Sequence, residues 1–85
     1  MAWWVYILRC GNGHLYTGLT TDVPRRVAEH QAGKGGRFTR RLLPVKLVYA
    51  EACASERHAK RREWQLKTWP RHKKLVLIQA ARTRS

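Results

Sequence analysis

The first apolar stretch of the chain, residues 3–9 (WWVYILR), is rich in aromatic and β-branched side chains, which predicts a β-strand. Residues 14–19 (HLYTGL) repeat this character after a short glycine-containing gap, so the two segments predict a hairpin. Residues 44–51 begin with a proline and carry apolar side chains at alternate positions from Val45 to Tyr49. This pattern predicts a third strand at the edge of a sheet.

The loop of the predicted hairpin decides which side chains share a face of the sheet. A two-residue turn would place Tyr6 and Tyr16 on opposite faces, because side chains alternate along a strand. A three-residue loop over residues 11–13, with Gly13 in the left-handed conformation, instead brings Tyr6 opposite Gly18. We predict the three-residue loop, which puts both tyrosines on one face.

Helix signals follow the hairpin and the third strand. Either Thr21 or Asp22 can cap a first helix that has Pro24 in its first turn and ends near Gly33. Residues 33–41 (GKGGRFTRR) are predicted to form a glycine-rich basic loop.

Two more helices are predicted after the third strand. Ser55 caps a helix that runs to about Thr68, and Pro70 opens another that carries the sequence LVLI. The order ββαβαα predicts an α+β fold, a small three-stranded antiparallel sheet flanked by helices. We expect residues 1–85 to form a single domain.

The composition points to a polyanionic partner. Eighteen lysines and arginines against five acidic residues give a formal net charge of +13, spread from Arg9 to Arg84. Such a surface repels itself unless a polyanion screens it, so nucleic acid is the expected partner, ahead of an anionic membrane. No apolar run approaches the roughly 20 residues of a membrane span and no signal-peptide pattern is present, so we expect a cytoplasmic protein. Cys10 and Cys53 are expected to be reduced, buried thiols.

Helical phase separates the polar residues of the first helix. Three residues on one side form the face expected to pack on the sheet: Val23, Val27 and His30. Arg26 borders this face, because it lies four residues before His30. Arg25 faces the other way and stands four residues before Glu29, the spacing of an ordinary surface ion pair.

The same count divides the second long helix. Its inner side carries Ser55, Ala59, Arg62, Glu63 and Leu66. A carboxylate on that side is unfavourable unless a cation or a metal ion pairs with it. Glu63 is therefore either a metal ligand or the partner of Lys67 in an i, i+4 ion pair.

The outer side of this helix is basic and carries one large aromatic residue; its members are Arg57, Lys60, Arg61 and Trp64. They could contact phosphates and stack on a base, or they could be only a solvated charged face. The cations of the glycine-rich loop are further candidate nucleic-acid contacts: Lys34, Arg37, Arg40 and Arg41.

Taken together, these positions resemble the GIY-YIG nuclease superfamily, in particular its short stand-alone bacterial branch. Residues 4–6 (WVY) stand where the family has its first triplet, and residues 16–18 (YTG) where it has its second. Arg26 follows the second glycine by eight positions and His30 comes four positions later. Glu63 lies within RREWQLK, which resembles the helix signature of this branch.

The resemblance implies a GIY-YIG fold and a divalent-metal-dependent endonuclease that hydrolyses phosphodiester bonds. The implied catalytic residues are Tyr6, Tyr16, Arg26, His30 and Glu63. A single Mg²⁺ or Mn²⁺ ion bound by Glu63, waters and the substrate phosphate suits a chain with so few acids. Arg26 would bind the scissile phosphate, and Tyr6 would hold the phosphate or the attacking water. Either Tyr16 or His30 would take the proton of that water.

Three functional hypotheses are kept. The first is an endonuclease acting on DNA, structure-directed, damage-directed or of weak sequence preference. The second is a non-catalytic nucleic-acid-binding module, which is kept because Leu19 and the lack of a late asparagine depart from the pattern of many relatives. The third is a scaffold whose basic face docks on an acidic partner. The sequence leaves open whether DNA or RNA is bound, although DNA is expected, and what the oligomeric state is.

Overall fold

In the computed structural model, which describes residues 2–83, three strands form one antiparallel sheet in the order β2-β1-β3. The strands are β1 (Trp3–Arg9), β2 (Leu15–Thr20) and β3 (Lys46–Cys53). The helices are α1 (Val23–Gln31), the single-turn α2 (Arg37–Arg40), α3 (Glu56–Thr68) and α4 (Arg71–Thr83). The predicted α+β fold is confirmed. Within the described part of the chain, each helix is too short or too polar to cross a bilayer.

Strand β1 lies in the middle of the sheet and is covered on both faces. Residues 5–8 are all buried, although neighbouring side chains on a strand point to opposite faces. Tyr6 packs on the same side as Val27 of α1, whereas Val5 packs against Ala59 of α3. Burial on both sides explains why this strand is a continuous apolar run rather than an alternating one.

The hairpin adopts the predicted three-residue loop. Tyr6 stands directly opposite Gly18, and the N–H of Gly13 donates to the carbonyl of Cys10 at 2.8 Å. Gly13 has a φ of 87°, the left-handed conformation that glycine adopts at little cost. Tyr6 and Tyr16 consequently share the face of the sheet that α1 covers.

The predicted helix caps are also present. The side chain of Asp22 accepts a hydrogen bond from the backbone N–H of Arg25 at 3.1 Å at the start of α1. The hydroxyl of Ser55 accepts one from the N–H of His58 at 3.2 Å at the start of α3. Each cap satisfies one of the backbone donors that the first turn of a helix leaves unpaired.

The sequence predicted that residues 33–41 form a loop, but part of this segment is helical. Residues 37–40 form α2, and the N–H of Arg40 donates to the carbonyl of Gly36 at 3.1 Å to close its turn. No amphipathic period can show in four residues, so the hydrophobic pattern gave no sign of this helix.

Strand β3 departs from the simple alternation expected of it. Its pairing with β1 shifts by one residue between Ile7 and Leu8, which stand opposite Tyr49 and Leu47 respectively. The extra residue, Val48, forms an irregularity of the bulge type, which moves the following side chains to the other face. Tyr49 therefore packs near Ile7, on the side of α4, instead of on the side of α1.

Candidate active site

Three aromatic side chains meet between the hairpin and α1. The Tyr6 hydroxyl lies 2.9 Å from Nε2 of His30, and both residues are buried. The ring of Tyr16 is centred 6.4 Å from that of Tyr6 and 5.3 Å from that of His30. Tyr16 is only partly buried, so it forms the solvent-facing side of the cluster. The three-residue hairpin loop and the inward phase of His30 on α1 produce this meeting.

Two glycines leave room for the cluster. A Cβ atom on Gly18 would lie 2.6 Å from the Tyr6 hydroxyl oxygen, well inside contact distance. A Cβ on Gly35 would overlap the His30 ring. The Tyr6 phenol therefore lies over the backbone of β2, and the glycine-rich segment lies against the imidazole.

Thr39, which the sequence analysis did not single out, holds the other side of His30. Its hydroxyl lies 2.8 Å from Nδ1 of His30, and the residue is buried. Both ring nitrogens are thus hydrogen-bonded, one to strand β1 through Tyr6 and one to α2. A lone threonine between arginines in a predicted loop carries no periodicity, so the sequence holds no local signal for this contact.

Arg26 reaches from α1 toward the same cluster. Its Nη1 donates to Oε1 of Glu29 at 3.1 Å, and its Nη2 donates to the carbonyl of Gly35 at 3.0 Å. The predicted pair between Arg25 and Glu29 is therefore wrong. Positions three and four apart are both neighbours on a helix, and the half-buried Arg26 fixes the carboxylate on its own side.

Burial and charge set the protonation of the cluster. Burial raises the pKa of the Tyr6 phenol, although the hydrogen bond and charge of Arg26 partly oppose this rise. Burial also lowers the pKa of His30, and the nearby charge of Arg26 lowers it further. Burial tends to lower the pKa of Arg26, but its hydrogen bonds to Glu29 and Tyr6 outweigh this and raise it. At neutral pH the site thus holds a neutral phenol, a neutral imidazole and a charged guanidinium.

Glu63 projects from the inner side of α3 with its side chain 23% exposed. Its Oε2 lies 3.6 Å from Nζ of Lys67, so the predicted i, i+4 ion pair is present. Its negative charge also helps to raise the pKa of Tyr6. This effect is smaller than those of burial, Arg26 and Tyr16. The carboxylate therefore lies within electrostatic reach of the cluster and does not point into bulk solvent.

The donor atoms of the site suit a single hard cation. Among residues 2–83, no group of three histidine, cysteine, aspartate or glutamate side chains is arranged to hold a metal ion. One carboxylate is nevertheless enough for Mg²⁺, which keeps several waters and binds through one or two carboxylates together with substrate phosphates. The chemistry of Glu63 therefore fits one Mg²⁺ or Mn²⁺ ion bound mainly by water and substrate.

The candidate nucleic-acid contacts lie in two segments of the chain. Four of them are exposed around α2: Lys34, Arg37, Arg40 and Arg41. The other four are exposed on the outer side of α3: Arg57, Lys60, Arg61 and Trp64. Trp64 is 68% exposed, and Lys60 lies 3.9 Å from a carboxylate oxygen of Glu56. Their binding of nucleic acid stays a prediction.

A family model described as the GIY-YIG catalytic domain matches residues 2–75, which include every candidate catalytic residue. The chain belongs to the GIY-YIG family. This family is one of nucleases, and its members generally use a divalent metal ion. The family resemblance drawn from the two triplets, Arg26, His30 and Glu63 is thereby confirmed.

Small bacterial UPF0213 proteins are similar to this chain along most of their length. A UPF0213 protein of Staphylococcus haemolyticus is 47% identical over 76 residues, covering 89% of this chain and 93% of the relative. A UPF0213 protein of Streptococcus agalactiae is 49% identical over 75 residues, covering 88% of this chain and 85% of the relative. The solution NMR structure of a UPF0213 protein from Bacillus halodurans matches with a TM-score of 0.61 at 44% identity, covering 94% of this chain and 85% of that one.

Proposed function

We propose that this GIY-YIG protein is an endonuclease that hydrolyses phosphodiester bonds in DNA with the help of one Mg²⁺ or Mn²⁺ ion. The observation that carries the proposal is the linkage of five candidate residues from four elements through Tyr6. Tyr6 is hydrogen-bonded to His30 and its ring contacts that of Tyr16. It also interacts electrostatically with Arg26 and with Glu63. Hydrolysis of a phosphodiester needs a held phosphate, an oriented water and charge stabilisation, and these side chains supply such groups.

Arg26 binds the scissile phosphate in this scheme. Its guanidinium is already oriented by Glu29 and the Gly35 carbonyl, so little side-chain entropy remains to be lost on binding. A planar guanidinium can donate to two phosphate oxygens at once and stays charged at any working pH. Its electrostatic role is to offset the negative charge that grows on the phosphoryl oxygens.

Tyr16 orients the attacking water and takes its proton. The sequence left Tyr16 and His30 as alternatives for this role, and the burial of His30 supports Tyr16. Both nitrogens of His30 are bonded to Tyr6 and Thr39, and its side chain is closed to solvent. His30 instead positions the Tyr6 hydroxyl, which holds the phosphate or the water.

Glu63 is the side chain that would hold the metal ion. When bound, such an ion supplies Lewis-acid stabilisation of the phosphoryl and leaving oxygens. Glu63 is oriented before binding by its ion pair with Lys67.

The substrate is selected mainly by charge and shape. The cations around α2 and on the outer side of α3 would contact phosphates, which position a duplex but carry no sequence information. We therefore propose weak sequence preference, with branched, damaged or single-stranded DNA as the forms to test first. Affinity should fall steeply with added salt, because each neutralised phosphate releases counterions.

Two matched pairs of variants test the proposal. Glu63→Gln and Arg26→Ala should abolish Mg²⁺- or Mn²⁺-dependent nicking of supercoiled DNA while circular dichroism shows an unchanged fold. Glu56→Gln removes the other α3 carboxylate in an i, i+4 lysine pair, and Arg25→Ala removes the adjacent exposed arginine, so both should cut normally. Nicking that survives both active-site changes would contradict the proposal and indicate a contaminating nuclease.

A non-catalytic nucleic-acid-binding module is the second candidate, and one observation favours it. Glu63 already has a cation partner in Lys67, which competes with a metal ion for the carboxylate. Purified protein that binds DNA with a steep salt dependence, yet never cuts it in Mg²⁺ or Mn²⁺, would establish this function instead.

A further inference from the structure

A cavity of about 330 Å³ lies along the outer edge of β2, next to the candidate active site. It is lined by His14, Leu15, Tyr16, Thr17, Lys67 and Lys74. Tyr16 belongs to the aromatic cluster, and Lys67 is the partner of Glu63, so the cavity shares two walls with that site. Its volume is near the lower limit of small-molecule sites in proteins.

Two lysines line this cavity, Lys74 and the Lys67 that pairs with Glu63. A smaller adjoining cavity of about 130 Å³ shares Lys74 and adds Arg71, whose Nη1 donates to the Gly13 carbonyl at 2.8 Å. Among the ion pairs of residues 2–83, neither Lys74 nor Arg71 has a carboxylate partner. Like charges gathered around a concave surface repel one another, and a bound anion relieves that repulsion.

Thr17 also lines this cavity and carries a hydroxyl group. It stands opposite Ile7 in the sheet, on the face that α3 and α4 cover, and is 3% exposed. Its hydroxyl oxygen has no hydrogen-bond partner within the described residues. A buried hydroxyl without a partner is unfavourable, and Thr17 lines the cavity together with two lysines, so a ligand oxygen in the cavity is a candidate partner once the hydroxyl turns toward it.

We propose that this cavity binds a second phosphate of the nucleic-acid strand, adjacent to the phosphate that Arg26 holds. The inference rests on the proposed function, since it places Arg26 at the scissile phosphate. Tyr16 stands between the two positions, so a strand crossing the edge of β2 passes from one to the other. Lys74 supplies the main charge for the second phosphate, and Lys67 links the two positions through Glu63.

The test is the salt dependence of binding to a short fluorescein-labelled DNA duplex, in EDTA so that no cutting occurs. The plot of log affinity against log salt has a negative slope, and Lys74→Gln should make it less steep by about 0.9, the value of one duplex phosphate contact. At about 0.1 M salt this is roughly an eightfold loss of affinity. Lys46→Gln removes the same charge from β3, at the opposite edge of the sheet, and should leave the slope nearly unchanged.

A second variant guards against effects on folding. Thr17→Val keeps the shape of the side chain and removes the unpartnered hydroxyl, so its unfolding midpoint should be equal or higher. Its affinity for the duplex should fall about two- to tenfold, the range of one net hydrogen bond. Unchanged affinity and slope in both Lys74→Gln and Thr17→Val would overturn the inference.

Two further arms identify the source of the phosphate. In a scan of single methylphosphonate substitutions, one position should weaken binding of the unmodified protein but not of Lys74→Gln. Inorganic phosphate that shifts the Thr17 and Lys74 amide signals in a saturable way, and that DNA does not displace, would show a free-anion site and overturn the inference. Absence of nicking by the unmodified protein would count against the proposed function alone. The salt dependence of binding and the methylphosphonate scan do not require cutting, so they would still test the second phosphate position.

Discussion

The hydroxyl of Tyr6 lies 2.9 Å from Nε2 of His30, and this bond joins the central strand to the first helix inside the core. Both side chains are buried, so the same contact supports the fold and the candidate active site. On the other side of the imidazole, the hydroxyl of Thr39 is hydrogen-bonded to Nδ1 of His30. A buried polar chain of this kind is favourable when every member is satisfied, and removal of one member leaves another unpaired.

Thr39→Val should destabilise the protein by about 1–3 kcal/mol, because it leaves Nδ1 of His30 buried without a partner. Urea unfolding followed by tryptophan fluorescence measures the change. The matched control is Thr68→Val, which removes an exposed hydroxyl that donates to the Gln65 carbonyl at 2.7 Å. The control should cost less than about 0.5 kcal/mol. Equal losses in the two variants would show that the bond to His30 has no special weight.

Gly18→Ala should disrupt the site from the side of β2. The added Cβ would lie 2.6 Å from the Tyr6 hydroxyl oxygen and 2.7 Å from its ring carbon Cζ, so the ring or the strand must move. Overpacking of this size typically destabilises by about 1–3 kcal/mol, and it should also shift the His30 ring signals in NMR spectra. Ala50→Ser adds one atom at the exposed residue opposite Tyr6 on β3 and serves as the control. A Gly18→Ala protein with unchanged stability and His30 signals would refute the close approach.

The stability of the protein should fall on acidification below about pH 6.5. The pKa of His30 is lowered from its ordinary value of 6.5 by burial and by Arg26. The unfolded chain therefore binds a proton near pH 6.5 that the folded chain accepts only at lower pH, so the free energy of unfolding decreases across that window. Above about pH 7 this contribution is constant.

Urea midpoints between about pH 5 and pH 8, at constant ionic strength, measure this slope, and NMR titration of the imidazole signals locates the pKa directly. His58→Gln, at an exposed position of α3, should leave the slope unchanged. An imidazole of His30 that titrates above 6.5 would contradict the prediction.

Arg62→Lys should loosen the contact between α3 and β3. Nε and Nη2 of Arg62 donate to the carboxylate of Glu51 at 3.0–3.3 Å, and Tyr49 donates to the same carboxylate. A lysine ammonium cannot reproduce this fork, so we expect a loss of about 1–3 kcal/mol in unfolding free energy. Arg61→Lys, on the exposed side of the helix, should change little.

The same substitution has a spectroscopic signature. Burial and Glu51 raise the pKa of Tyr49 to about 12, whereas Arg62 lowers it. Ultraviolet titration should therefore show that the pKa of Tyr49 rises in Arg62→Lys if the ammonium no longer reaches the phenol. A fall in this pKa would mean that the guanidinium is not its neighbour.

Features that depend on near neighbours in the chain could be predicted from the sequence. The loop over residues 11–13 set the hairpin register, because the number of loop residues and a left-handed glycine determine which side chains pair. Ser55 marked one helix start and the pair Thr21 and Asp22 another, since a cap acts on backbone donors two or three positions away, and the structure uses Asp22. Helical phase placed His30 and Glu63 on inner faces, because the side a residue occupies depends only on its spacing from nearby residues of the same helix.

Features that depend on contacts between distant segments were decided only in the tertiary structure. Glu29 lies within one helical turn of both Arg25 and Arg26 on α1. It pairs with Arg26, whose guanidinium is also held by the carbonyl of Gly35 from outside the helix. Thr39 and Gly35 reach His30 because the chain folds back over it, a contact that no local pattern encodes. Burial, which shifted the pKa values of Tyr6 and His30, likewise exists only once separate elements pack together.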